Sequence, residues 1–240
     1  MEIMEKELDV KQDVFDLCVS SVRELNSYLH KLPVDGKCSP IRILNPSGDH
    51  SIVAGVDADI DIDIDGHVGY FCGGMTRQAR ITIHGNAGQS IGSNIESGVI
   101  HVRGDASQSA GATGRGGQLI IEGNATSRCA ISLKGADIVV KGNIGHLSAF
   151  MAQTGRLVVF GDAGEALGDS IYEAQLFVRG KVTSLGTDCI EKEMRDEHKE
   201  ELFKLLEASG EAGKVDVSEF TRFGSARELY NFNIDNAGAY

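Results

Sequence analysis

Residues 138–145, Ile-Val-Val-Lys-Gly-Asn-Ile-Gly, belong to a pattern that recurs along most of the chain. Its central glycine is Gly142, and glycines return before and after it at intervals of 19 residues. The full series is Gly66, Gly85, Gly104, Gly123, Gly142, Gly161 and Gly180. A fixed period of this length is the signature of a repeat architecture in which each unit stacks on its neighbours.

Each repeat predicts one short strand with an apolar face. The residue two places before each repeat glycine is always Ile or Val, and the residue four places before is always Ile or Leu. Side chains two apart lie on the same face of a strand. A single repeat cannot bury that face, whereas stacked coils can. Because parallel crossovers are overwhelmingly right-handed, we predict a right-handed parallel β-helix of about seven 19-residue coils, with flanking α-helices.

The positions after each glycine predict how the coil turns. Most of the following residues are Asn or Asp, which tolerate the left-handed conformation and suit a sharp turn. The next position is small or apolar throughout, from Val68 to Val182, where the coil narrows.

The residues on either side of the repeat do not follow it, so the chain is predicted to divide into three segments. These are an N-terminal flank (1–50), the β-helix (51–186) and a C-terminal flank (187–240). In the first, Ser21 with Glu24 forms a predicted capping box for a helix that stops at Pro33, and strands are expected at 41–44 and 52–56. In the last, a capping box at Asp188 opens a predicted helix with an apolar stripe from Ile190 to Leu206, and a short helix is expected from Ser225. Repeat arrays need atypical end segments, and these are candidates.

Composition narrows the functional classes. The net charge is −12, which disfavours nucleic acid and anionic membrane surfaces as partners. No apolar run approaches the roughly 20 residues of a membrane span, and the N-terminal residues lack a signal-peptide pattern. We therefore expect a cytoplasmic protein.

Two segments invite a binding interpretation. Asp57, Asp59, Asp61, Asp63 and Asp65 alternate with apolar residues and could form a calcium ladder, but the prediction is an outward face that protects an exposed end strand. The run Gly114-Arg115-Gly116-Gly117 could hold an anion, yet it lacks the Lys-Ser/Thr of a phosphate-binding loop and opens no helix. A loop or interface role is expected there.

Histidines and cysteines do not converge in the repeat frame. His67, His84, His101 and His146 occupy four different repeat positions, so we expect structural or surface roles. The five cysteines are widely spaced with no C-x-x-C, which argues against a disulfide framework, a zinc site or an iron–sulfur cluster in this chain. Cys72 and Cys129 share one repeat position and are predicted to pack inertly. No catalytic, cofactor-binding or metal-binding residue is assigned.

One outward position turns from polar to apolar along the rod. Three places before the repeat glycine stand, in order, Asp63, Thr82, His101, Ile120, Val139, Val158 and Phe177. The last four form what we call the apolar wall. A contiguous patch of this kind is rarely left exposed. The predicted cover is the chain's own helix ending near Leu206, and the alternative is a partner subunit.

Several stretches resemble a known family. The segment from Gly66 to Lys181, with Gly111-Ala112-Thr113, Val139-Val140-Lys141-Gly142 and Val158-Val159-Phe160-Gly161, resembles the C-terminal GXGXG repeat domain of the glutamate synthase large subunit. Flanking stretches, among them residues 42–46, 65–70 and 230–237, resemble the stand-alone β-helix subunit of N-methylglutamate synthase. The corresponding subunit of formylmethanofuran dehydrogenase is similar in its β-helix but poorer in its flanks.

The resemblance implies a non-catalytic subunit of a glutamate-synthase-like complex that forms N-methylglutamate and ammonia from methylamine and glutamate. It implies two partners, a glutamine-amidotransferase-like subunit and a synthase-like subunit holding FMN and an iron–sulfur cluster, which this chain keeps in register. The alternatives are the β-helix subunit of a formylmethanofuran dehydrogenase and a self-sufficient β-helix enzyme acting on carbohydrate.

Overall fold

The computed structural model describes residues 13–227, and its centre is a parallel β-helix. One edge of every coil contributes a strand to a single sheet of eleven strands. The first nine strands follow each other in chain order and pair in parallel, and the final two are antiparallel.

The helices and strands have the following bounds. The N-terminal flank contains β1 (Asp13–Asp16), α1 (Val22–Leu29) and β2 (Ile41–Leu44). The repeat coils contain β3 (Asp61–Asp65), β4 (Arg80–Ile83), β5 (Val99–Val102), β6 (Gln118–Ile121), β7 (Lys134–Val140), β8 (Thr154–Val159) and β9 (Gln175–Val178). The C-terminal flank contains β10 (Cys189–Lys192), α2 (Asp196–Ala208), a 3-10 helix (Val217–Glu219) and β11 (Thr221–Ser225).

The two predicted inner ladders are confirmed. From β3 to β9, residues pair at the predicted spacing, so that Ile62 faces Ile81, Ile81 faces Ile100, and so on to Leu176. The side chains at both inner positions are at most 1% exposed in every coil. Burial of branched aliphatic side chains on this scale is the main force that holds the coils together. β1 and β2 extend the same parallel ladder on the N-terminal side of residue 50.

A second line of contacts follows the repeat glycine, but the reason for the Asn and Asp residues differs from the prediction. They do not adopt the left-handed conformation. Instead, each side chain accepts a hydrogen bond from the backbone amide of the equivalent residue in the next coil. Asn143 Oδ1, for example, accepts from the Asp162 amide at 2.7 Å. The ladder runs from His67 through Asn86, Asp105, Asn124, Asn143 and Asp162 to the Lys181 amide.

This ladder also explains the invariant glycine period. A Cβ atom at Gly142 would lie 2.6 Å from Asn124 Oδ1 and 2.6 Å from the Gly123 carbonyl oxygen. Heavy atoms do not approach that closely, so a side chain here would force the coils apart. From Gly85 to Gly180 the repeat glycines have no positive φ, so the approach of adjacent coils and not the backbone conformation requires glycine there, whereas Gly66 has a positive φ.

The opposite corner of each coil contains left-handed residues that the sequence did not reveal. From Gly66 to Gly161, the fifth and ninth residues after the repeat glycine have positive φ, although they include Phe71, Arg128 and Leu147. Their amides donate to the next coil, as Ser90 does to the Gln108 carbonyl, and the seventh donates to the preceding coil. The strained conformation therefore lets one corner form hydrogen bonds in both directions along the axis.

The N-terminal flank confirms one prediction and corrects another. Ser21 caps α1, with its hydroxyl accepting from the Glu24 amide while Glu24 accepts from the Ser21 amide. The strand predicted at 52–56 is wrong, because these residues form a turn segment at a coil corner. Ile52 and Val53 are nevertheless fully buried, so an apolar run here marked an inward-facing corner and not a strand.

The C-terminal flank differs more from the prediction. Residues 189–192 form β10, and the helix begins only at Asp196. Asp188 is not a helix cap, because it has a left-handed backbone and its carboxylate accepts from Arg227 at 2.6 Å. β11 inserts antiparallel between β9 and β10. Ser225 ends β11, and the remainder of the short helix expected there lies outside the described residues.

The apolar wall is covered by the chain itself, as predicted. Val139, Val158 and Phe177 have no exposed surface and pack with Leu202, Leu205 and Leu206 of α2, together with Phe220. Phe160 meets Phe220 edge-on, with ring centroids 5.5 Å apart. Helix α2 therefore lies along the side of the β-helix, on its C-terminal half.

Candidate functional site

Basic side chains contact the aspartate run, and within residues 13–227 these aspartates form no group placed to hold a metal ion. Each of the five aspartates faces a basic group on a neighbouring coil. The pairs are Asp57 with Arg77, Asp59 and Asp61 with Arg80, Asp63 with His84, and Asp65 with Arg42. The prediction that these residues protect an end strand is wrong, because β3 is paired on both sides, with β2 and β4.

The histidines are distributed among structural contacts, in agreement with the expectation. His67 Nδ1 accepts from the Asn86 amide, and His198 Nδ1 accepts from the Arg195 amide at the start of α2. His50 stacks on Tyr70 with ring centroids 4.4 Å apart. Across residues 13–227, no group of three or more His, Cys, Asp or Glu side chains is placed to hold a metal ion.

The two cysteines predicted to pack inside the coils are buried there. Cys72 and Cys129 are fully buried at the same corner of their coils. Burial raises the pKa of each thiol to about 12, and it raises the pKa of Cys189 to about 11. A thiol with such a pKa stays protonated at neutral pH and is a poor nucleophile or metal ligand.

The Gly114–Gly117 run is a loop packed between coils. The Gly114 amide donates to the Gly111 carbonyl, and the Arg115 and Gly116 amides donate to the Ile95 carbonyl. These amides are thus occupied by backbone oxygens and cannot hold an anion. A Cβ atom at Gly116 would lie 2.5 Å from the Glu96 carbonyl oxygen, so glycine is needed here for close packing.

A charged network marks the boundary between the polar and apolar parts of the outer face. Glu122 binds His101 at 2.5 Å and Lys141 at 2.9 Å, and Lys141 also binds Glu211 at 2.6 Å. Burial lowers the pKa of His101, partly opposed by its bond to Glu122. Burial raises the pKa of Glu211, but hydrogen bonds from Lys141 and Lys214 outweigh it and hold the net pKa below the ordinary value. The network ties the loop after α2 to the coils.

A group of large side chains is exposed at one corner of the first coil. Tyr70, Phe71 and Met75 are about half exposed, and we call them the aromatic corner. Phe71 and Met75 occupy the left-handed positions of that corner. Aromatic residues and Met are enriched in protein–protein interfaces. The sequence repeat could not single out this corner, since the repeat positions concerned are variable along the chain.

A helix that spans a membrane must be both long and apolar. No helix within residues 13–227 combines the length and the apolar character needed to cross a bilayer.

The comparisons with known proteins identify a relative over nearly the whole chain. No family model matches. Protein GlxC of Rhizobium meliloti (strain 1021) is 56% identical over 227 residues, which is 95% of this chain and 99% of that protein. Similarity of that extent covers the repeat coils and both flanks together. The chain belongs to the same family as Protein GlxC.

Proposed function

We propose that this chain is the structural β-helix subunit of a glutamate-synthase-like complex and supplies no catalytic group itself. The observation that carries the proposal is the set of repeat coils held in one register from β3 to β9. This is the same repeat in which the chain resembles the glutamate synthase GXGXG domain. The relationship to GlxC supports it, since that relative is a chain of comparable length.

The geometry suits a spacer between other proteins. Backbone hydrogen bonds link every coil to both neighbours, at the sheet and at the corner. A body packed and bonded in this way is stiff, so proteins bound at different points along its axis are held at fixed distances. The aromatic corner lies near one end of it and supplies exposed apolar surface for a protein contact.

The specific complex proposed is N-methylglutamate synthase, which converts methylamine and glutamate to N-methylglutamate and ammonia. In this assignment a glutamine-amidotransferase-like subunit and a synthase-like subunit with FMN and an iron–sulfur cluster flank the β-helix. The resemblance of the flanking segments favours this assignment over a formylmethanofuran dehydrogenase. A self-sufficient carbohydrate-active enzyme is disfavoured, because the outward carboxylates of the first coils are engaged in ion pairs.

The decisive experiment is to purify the tagged chain from its own cells under native conditions and to identify the chains that accompany it. The expected result is two larger subunits with flavin absorbance and bound iron, and with methylamine-dependent formation of N-methylglutamate. Recovery of the chain alone, or with partners that carry no flavin, would contradict the proposal.

The contact surface can be tested in the same preparation. Phe71→Ser with Met75→Ser should abolish or strongly reduce co-purification while the melting temperature stays unchanged. Met151 is the matched control, because it occupies the same left-handed position in a later coil and is also exposed. Met151→Ser should leave the complex intact. Equal losses from both variants would rule out a specific contact at the aromatic corner.

A further inference from the structure

A basic cavity lies at the C-terminal end of the β-helix, where the last repeat coils meet the C-terminal flank. Its volume is about 210 Å³, and it lies where β9, β10 and β11 meet. Its charged lining residues are Lys192, Arg222, Arg227 and Glu173. A predominance of basic groups is unexpected in a chain whose net charge is −12, so the cavity requires its own explanation.

Arg222 is the central group of this cavity. It is only 7% exposed, yet within residues 13–227 no carboxylate lies within 4.0 Å of its guanidinium. Its Nε donates to Gln175 Oε1 at 3.2 Å and its Nη1 donates to the Glu193 carbonyl at 3.3 Å. Both acceptors are neutral. An arginine keeps its charge at any physiological pH, so the structure holds a buried cation with neutral ligands.

The remaining nitrogen of Arg222 is directed to the cavity. Nη2 has no hydrogen-bond partner among the described residues, and it is not among polar atoms sealed from solvent without a partner. It must therefore be accessible, and the cavity is the space that the guanidinium lines. Burial is the main influence that lowers the pKa of Arg222, nearby Arg195 lowers it further, and Glu201 and Glu197 act in the opposite direction. Burial of a cation with no carboxylate in contact is a cost that a bound anion would reduce.

The other basic residues define what charge the cavity accepts. Arg227 is neutralised by Asp188 at 2.6 Å and lies over the Tyr172 ring at 5.2 Å. Lys192 has no ion-pair partner among residues 13–227. Among the lining residues, once Arg227 is paired with Asp188, Lys192 and Arg222 outnumber Glu173 by one positive charge, while Glu201 acts on Arg222 from outside the lining. A monoanion matches this charge, whereas a phosphate dianion exceeds it.

Access and size restrict the ligand further. Thr154, Tyr172 and Glu173 at the rim are exposed, so a small molecule can enter from solvent. A second cavity of about 230 Å³ continues from the first and shares Thr154, Glu173 and Gln175 with it. A planar carboxylate suits the guanidinium geometry, and an attached chain of a few carbons has room beside it.

We propose that this cavity binds a small organic carboxylate, with Arg222 and Lys192 as its charged ligands. This site is independent of the complex proposed above, since it depends only on groups within this chain. It is formed where β11 inserts beside β9, so ligand binding would also stabilise that insertion.

The test is a thermal-melt titration of the full chain with acetate and with succinate, in chloride-balanced buffers of constant ionic strength. The expected result is a saturable rise in melting temperature for the wild type. Lys192→Gln should weaken acetate binding about tenfold, because a charged ligand of the carboxylate is replaced by a neutral one. Arg222→Gln should abolish it. Because Arg222→Gln can also affect folding, Lys192→Gln is the deciding variant.

Two further measurements test the interpretation. Glu173→Gln should bind acetate at least as tightly as the wild type, since it removes the opposing charge. Inorganic phosphate at equal concentration should stabilise the chain less than acetate. The absence of saturation with acetate, or equal affinity in wild type and Lys192→Gln, would overturn the proposal.

The source of the carboxylate is distinguished by one additional variant. The chain continues from Arg227 at the rim of the cavity through a segment that contains Glu228 and Asp235. Acetate affinity should be unchanged in Glu228→Gln with Asp235→Asn if the natural ligand is a free carboxylate. Markedly tighter acetate binding in that variant would show that the chain's own carboxylate fills the cavity, and the free-ligand proposal would fail.

Discussion

The outer face of the first three repeat coils and the outer face of the last four are built on the same inner ladders but present opposite surfaces. In the first, Asp63 and Thr82 are partly exposed among ion pairs. In the second, Val139, Val158 and Phe177 are fully buried beneath α2. The difference teaches that the inner positions set the fold, and that the outer positions determine what each segment contacts.

The largest effect on stability is expected from a substitution in the inner ladder, because the inner positions set the fold. Val140→Asp places a carboxylate in the middle of the core, where no basic partner is available, and should destabilise the chain by at least about 4 kcal/mol. The measurement is equilibrium unfolding in urea. Thr82→Asp, on the polar outer face, is the matched control and should cost less than about 1 kcal/mol. Comparable losses would show that the inner and outer positions are wrongly assigned.

The second test removes the apolar wall and leaves the inner ladders intact. Val139→Ser together with Val158→Ser should destabilise the chain by roughly 3 kcal/mol, from lost apolar burial and poorly satisfied hydroxyls. Hydrogen exchange should accelerate at Leu202, Leu205 and Leu206 more than in the coils. Thr82→Ser, at the equivalent position of the polar half, should change stability by less than about 0.5 kcal/mol. Unchanged exchange in α2 would contradict its docking on the wall.

The third test concerns the boundary network and its pH dependence. Glu211→Gln should destabilise the chain by about 1–2 kcal/mol at pH 7 by leaving Lys141 with one fewer carboxylate. The pKa of Glu211 lies below its ordinary value of 4.5, so its contribution is fully present above pH 4.5. The contribution is lost as the pH falls from there through the folded-state pKa.

The difference between wild type and Glu211→Gln should therefore shrink as the pH is lowered below 4.5. Glu207 is exposed on α2 and makes no ion pair within the described chain, which makes Glu207→Gln a suitable control with little effect at any pH. A difference that grows on acidification would have the wrong sign for this network.

The smallest effect is expected from the side-chain ladder that both halves share. Asp162→Ala removes the acceptor for the Lys181 amide and Asn86→Ala the acceptor for the Asp105 amide. Each should cost about 1 kcal/mol, because one backbone donor is left to water. Asp162→Asn keeps the acceptor and should be nearly neutral. A large difference between the two alanine variants would show that the ladder is not equivalent along the rod.

The inner ladders and the cover of the apolar wall could be predicted from sequence because both depend on strict periodicity. The fixed spacing of the repeat glycines sets the register, and the change from His101 to Ile120 marks where the wall begins. The seven coils and the burial of Cys72 and Cys129 follow from the same logic.

The C-terminal flank could not be predicted in the same way. β10 and β11 pair across an intervening helix, and neither carries the repeat. Residues 189–192 lie beside an apolar helical stripe, so periodicity alone extended the helix into the strand. The basic cavity depends on that pairing, which brings Lys192 and Arg222 together. The left-handed corner residues could not be predicted from the sequence for a different reason. The hydrogen bonds that stabilise their conformation lie between coils and leave no pattern within one repeat.

The antiparallel insertion of β11 also limits how copies of the chain can join. A parallel β-helix that ended on β9 would offer an edge on which the first strand of another molecule could continue the coil, giving an open-ended fibre. β11 occupies that edge with its backbone reversed, and β10 is the outermost strand of the described chain beyond it. A repeat coil of a second molecule therefore cannot pair directly with β9.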